Sequence, residues 1–178
     1  DNGVVTHDSN WVTTENTELA VAALNKLFIC QARATDSGAS EIAERIYTMA
    51  SFLLTYNPSN SILWEMWATN SGFQVEPESQ LVALNPTVGA PSSVSSLQTS
   101  TGAYGRQYQN CYLAGSSIGR CAVVVNADGS NAHAFPYSGY GHTLALSGAG
   151  VVDGASVSTS GGAPPSTLAP MQAVIALP

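Results

Sequence analysis

The stretch RQYQNCYLAGSSIGRCAVVVN, residues 106–126, decides the architecture of the second half of the chain. RQYQNCYL (106–113) and RCAVVVN (120–126) read as two strands, and the intervening AGSSIG carries glycines at 115 and 119 able to supply turn conformations. Paired as a hairpin, the strands bring Cys111 and Cys121 near each other across the ladder. A bridge there would close a loop of about 11 residues, worth roughly 2–3 kcal/mol. Disulfides persist mainly in oxidising compartments, so the bridge predicts an extracellular protein, secreted or at the cell surface. Cys30, in the apolar KLFICQARA, is left over and is read as an inert packing residue.

Outward toward the C-terminus the chain continues as short runs set between Gly and Pro: HTLALSG, VVDGASVSTS and MQAVIALP. Strands this short and this spaced predict a small antiparallel β-sandwich over 106–178. Immediately upstream, residues 86–105 (PTVGAPSSVSSLQTSTGAYG) have no periodicity and much Ser, Thr, Pro and Gly, the marks of a linker.

Residues 1–85 follow other rules. TTENTELAVAALNKLF predicts a helix over about 15–26, with Glu15 and Glu18 in its first turn suiting the positive helix end. Leu19, Val21, Ala22, Leu24 and Phe28 supply its apolar stripe. A buried strand follows over 27–34. Asp36, Ser37 and Ser40 then offer caps to a second helix, in which Ile42, Ile46, Met49 and Leu53 recur at helical spacing and Glu41 and Arg45 stand four apart. That helix should end near Tyr56, because Pro58 disfavours helix at Asn57. SILWEMWA (61–68) reads as another strand. Helix, strand, helix, strand is the mark of α/β units around a parallel sheet.

Composition narrows the function. Of 178 residues, 44% are hydrophobic and only 10% charged, with a net charge of −7 and basic residues limited to Lys26, Arg33, Arg45, Arg106 and Arg120. Nucleic-acid binders neutralise phosphates with clustered Lys and Arg, so nucleic acid is not an expected partner. The longest apolar runs, 19–24 and 171–177, are too short to span a bilayer. The chain opens on DNGVV without an initiator Met and reads as the edge of a processed or incomplete product.

No cysteine pair has CxxC spacing and His7, His133 and His142 are scattered, so no metal site is expected. His7 and Asp8 are adjacent, which on a strand turns them to opposite faces. No glycine-rich phosphate loop joins a strand to a helix, and no cofactor is expected. Both NPS at 57–59 and NPT at 85–87 are sequons blocked by proline, so attached sugar would be O-linked.

RQYQNCYLAGSSIGRCAVVVNADGS resembles the Arg-x-Tyr, Gly, Val-Val-Val-Asn pattern that opens the C-terminal β-sandwich of (β/α)8-barrel glycoside hydrolases. YGHTLALSGAGVVDGASVSTSGG and APMQAVIALP resemble the end of that domain. IYTMASFLLTYNPSNSILWEMW, followed by PESQLVALNP, is similar to the last helix and strand of such a barrel and the segment leaving it. The resemblance spans most of 40–178 and implies an α/β segment of barrel-like βα units over 1–85 and an appended sandwich over 106–178.

A complete barrel needs about 250 residues, and 1–85 leaves room for about two units. Glycoside hydrolysis needs two carboxylates about 5–10 Å apart. The resemblance puts these outside the chain, which alone is expected to be inactive. Asp36 and Glu65 stand at strand positions where barrel enzymes place functional groups, with a structural or solvated role as the default. Three functions follow: the C-terminal portion of an extracellular glycoside hydrolase-like protein, a non-catalytic subunit of a filament or surface assembly, or a carbohydrate-binding module. The expected partners are the rest of a larger polypeptide or copies of the same chain, with a polysaccharide or glycan as ligand. Tyr137 and Tyr140, in FPYSGYGH, are the candidates for stacking on a sugar.

Overall fold

The structure is a computed structural model and describes residues 8–34, 39–67, 77–148 and 156–178. Helix α1 (Asp8–Ala23) leads to strand β1 (Phe28–Ala34), helix α2 (Ala39–Thr55) and strand β2 (Ser61–Trp67). β1 and β2 pair in parallel, with Phe28 opposite Ser61 and Ile29 opposite Ile62. This is the strand-helix-strand unit expected from the alternation of apolar periods. The remaining strands are antiparallel, and no closed barrel forms among the described residues.

Beyond a 3-10 turn at Pro77–Gln80 come β3 (Leu81–Pro86), a second 3-10 turn at Val94–Leu97, β4 (Gln98–Ser100), β5 (Ala103–Leu113) and β6 (Ser116–Asn126). The short strands β7 (His133–Ala134), β8 (His142–Thr143), β9 (Ala145–Ser147), β10 (Ser156–Ser158) and β11 (Thr167–Leu168) precede β12 (Ala173–Leu177). The main sheet runs β3-β5-β6-β12-β8, with β4 also paired to β5; β9 pairs with β10 and β7 with β11. The described β-rich part is thus one larger antiparallel sheet with two small ladders beside it.

Two sequence expectations change. Ala114 and Gly115 both have positive φ, 50° and 77°, so a two-residue turn closes the β5–β6 hairpin and Ser116–Gly119 belong to the second strand rather than to a six-residue loop. Residues 86–105, expected as a linker, hold Val94 and Leu97 in the core, and the Val94 N–H donates to Asn16 Oδ1 on α1 at 2.9 Å. Two apolar residues three apart outweigh the polar composition around them.

The central run Ala122–Val125 is buried on both faces, as a continuous apolar strand requires. Val123 and Val125 join a cluster with Trp11, Leu53, Tyr104 and Ile175. Ala122 and Val124 pack the other way, against Leu168, Val174 and the rings of Phe135, Tyr137 and Tyr140. α2 lies on β6 and β12, and residues 49–55 are buried all round, which places that turn at the centre of the core. At the other end of α2, the Arg45 guanidinium donates from Nε and Nη2 to Glu78, each bond 2.7 Å, and from Nη1 to Gly148 O at 2.8 Å.

Cys111 and Cys121 are bonded, with Cα atoms 6.0 Å apart, and both are fully buried. The register shifts between Tyr108 and Cys111, so the bridge sits at an irregularity of the ladder and clamps it. Replacing both cysteines by Ala should lower unfolding stability by about 2–3 kcal/mol, read from urea denaturation against the oxidised chain. An unchanged midpoint would show that the hairpin holds without its clamp.

Candidate functional site

α1 buries a polar stripe. Trp11, Glu15 and Glu18 point inward with 2%, 5% and 2% exposure, while Leu24, just after the helix, is 71% exposed. Because the helix starts at Asp8, the two glutamates lie in its interior and not in the first turn, so the expected role at the positive helix end does not hold. The expected apolar stripe is likewise not the buried face. The reason is the partner surface: α2 offers hydroxyls here. Trp11 Nε1 donates to Ser51 Oγ at 2.9 Å, and Thr55 Oγ1 lies 3.0 Å from Glu15 Oε2 and 2.8 Å from Glu18 Oε2.

One hydroxyl carries one hydrogen, so it can donate to only one of two carboxylates. The other must supply a proton of its own. Burial accordingly raises Glu15 well above the ordinary carboxylate value, helped by the charge of Glu18, and burial raises Glu18 as well. Two carboxyls of raised affinity for a proton have the composition of an acid/base pair. Their setting differs from a glycosidase pair, because the Thr55 side chain fills the space between them where a scissile bond would lie. The cluster is a proton-holding latch between α1 and α2.

The carbonyls at the end of α2 need donors once buried, and β5 provides them. Arg106 Nη1 donates to Leu54 O at 2.9 Å and to Tyr56 O at 3.4 Å, and the Tyr108 hydroxyl donates to Leu53 O. A cation at a helix C-terminus also suits the macrodipole. Burial pushes the Tyr108 hydroxyl far above its usual range, so it remains a donor, with Arg106 opposing the shift. Beside this cap opens a cleft of about 430 Å³, bounded by Leu19 and Ala22 of α1, Thr55 and Tyr56, β3, and Arg106 and Tyr108.

The residues singled out in the sequence scatter. Asp36 lies outside the described residues. Glu65 stands in β2 opposite Ala32, and its side chain lies outside the described set. Tyr137 and Tyr140 are half-buried: Tyr137 rests on β5 at Gly105, where a Cβ would come within 2.6 Å of its hydroxyl. Its hydroxyl is pushed up to about 12, by burial and then by Tyr140. Tyr140 accepts from Gln107 Nε2 at 2.9 Å and lies under the Arg120 guanidinium. The two rings are occupied in covering the sheet, which leaves partial faces for a ligand. Cys30 is half-buried and outside any disulfide.

His133, one of the three scattered histidines, is part of a hydrogen-bonded chain. Its Nδ1 is 3.1 Å from Ser100 Oγ and its Nε2 3.1 Å from Asp128 Oδ2. The order hydroxyl, imidazole, carboxylate has the form of a nucleophile relay. Asp128, however, also accepts from the Ser130 and Asn131 backbone N–H groups and from Asn131 Nδ2, which hold its carboxyl well below the usual range. These bonds make it the organiser of the 128–133 loop, and the chain borders neither this cleft nor the one beside Ile46 and Met171. Among the described residues no three His, Cys, Asp or Glu side chains converge as metal ligands. No family model, curated protein or solved structure matches the chain.

The latch has a pH signature. A folded-state value above the unfolded one means that the native state binds the extra proton. Its stabilisation is complete below the ordinary carboxylate value of 4.5 and is lost as pH rises through the raised one. Glu15→Gln, which copies the protonated acid, should therefore be more stable than the parent at about pH 8, with the gap closing toward about pH 4. Urea midpoints across that range test this; parallel profiles would contradict the shared proton.

Proposed function

We propose that this chain is the C-terminal portion of an extracellular glycoside hydrolase-like protein. Its α/β segment would be the last βα units of a larger parallel barrel and its β-rich segment the appended sandwich, with the catalytic carboxylates elsewhere in the protein. The observation that carries the reading is the bare parallel pair. Parallel strands occur almost only in sheets covered on both faces. Here Ile29 and Ile62 sit side by side in register and are 53% and 47% exposed. Leu24 and Leu27, in the connection from α1 to β1, are exposed too. Among the described residues β1 and β2 pair with no third strand. Such a surface is built to be covered.

The internal disulfide is compatible with an extracellular setting, and no described helix is long and apolar enough to cross a membrane. The buried Glu15–Glu18 latch supports placing the chemistry elsewhere, since a substrate has no way between them. The same bare face would also be covered by copies of the chain, which keeps a structural assembly as the second reading.

Denaturing mass spectrometry of the native material, run beside light scattering, separates the two. The expected result is an intact mass well above the 18.4 kDa of this chain. A native mass of 18.4 kDa would overturn the proposal, in favour of a structural subunit if the particle is large.

A further inference from the structure

Arg45 and Arg106 are both buried, but their guanidiniums are treated differently. Arg45 engages Glu78 through two bonds and a backbone carbonyl through a third. Arg106 is only 3% exposed, and its guanidinium donates to the Leu54 and Tyr56 carbonyls and lies against Tyr108, while among the described residues its Nε–H has no acceptor. Among the described residues no carboxylate stands within ion-pair distance of it. Buried charges are normally paired, and an unused donor on a buried cation is costly. The helix carbonyls supply part of a counter-charge and leave the rest open.

Arg106 also lines the cleft at the end of α2. Its volume of about 430 Å³ falls in the range of small-molecule sites. Glu15 and Glu18, bonded to Thr55 of the cleft wall, do not fill the need, because both are biased toward the neutral form. The walls combine apolar groups, Leu19 and Ala22, with polar ones, Tyr56 and Asn57. We propose that this cleft binds a small molecule bearing a carboxylate, which pairs with the Arg106 guanidinium at the cleft wall while its body rests on the α1 wall. Guanidinium and carboxylate match in charge and in planar geometry. The proposal goes beyond the function argued above and does not depend on it.

A sugar acid and the C-terminus of a short peptide present the same group. The test follows the Nε–Hε resonance of Arg106 by NMR in the full chain, assigned through Arg106→Lys. D-glucuronate, N-acetyl-alanyl-alanine and acetate are titrated, with D-glucose and sodium chloride as controls. The expected result is a saturable shift with the carboxylates and none with glucose. Glucuronate or the dipeptide should bind at least tenfold more tightly than acetate, and the tighter of the two identifies the source. Ala90→Trp, at an exposed position on the rim, should weaken binding at least tenfold with the circular dichroism unchanged. No saturable shift, the same shift from chloride, or binding indifferent to Ala90→Trp would overturn the proposal.

Discussion

The C-terminal end of α2 is the constraint on which the rest of the structure depends. A helix end buried in a core strands carbonyls that water cannot reach, and each must find a donor. Those donors, Arg106 and Tyr108, lie more than fifty residues away on β5. The pairing fixes α2 against the antiparallel sheet. Because α2 is also the crossover between β1 and β2, it fixes the parallel pair as well. Arg45 and Glu78 repeat the arrangement nearer the start of the helix. Buried ion pairs add little net stability compared with apolar packing, but breaking one strands a charge, so they discourage any other docking of α2.

With α2 so placed, its hydroxyl-bearing side is left to α1. Ser51 and Thr55 ask for polar partners, and α1 answers with Trp11, Glu15 and Glu18. The apolar residues that follow, Leu24 and Leu27, are then turned to solvent together with Ile29 and Ile62. The polarity of the α1 contact and the exposure of the β1–β2 face are two sides of one arrangement.

Much of this was legible in the sequence where a short local rule decides the outcome. The apolar patterns over 27–34 and 61–68, with a helix between them that should end near Tyr56, place two strands around a helix, and the alternation of helix and strand points to a parallel pair. The spacing of Cys111 and Cys121 around a glycine turn gives the staple. What was not legible depends on partners distant in the chain. Glu15 and Glu18 look like helix-end charges until Thr55 is seen between them. Arg106 and Tyr108 stand two apart in RQY, a spacing that places both on one face of a strand, but nothing local says that this face meets a helix end. Val94 and Leu97 were hidden in Ser- and Pro-rich surroundings. Asp128 and His133, five apart in DGSNAH, carried a loop-closing signal that the scatter of histidines obscured.

The central claim is that α2 joins the parallel pair and the antiparallel sheet into one cooperative body. Amide hydrogen exchange under native conditions measures this most directly, because the opening free energy of each segment is read separately. The account predicts that α2 amides at 49–55 and the paired amides of β5 and β6 share one opening free energy, and that all fall together in Arg106→Lys. Exchange of α2 at a much lower free energy, with β5 and β6 still fully protected, would contradict it.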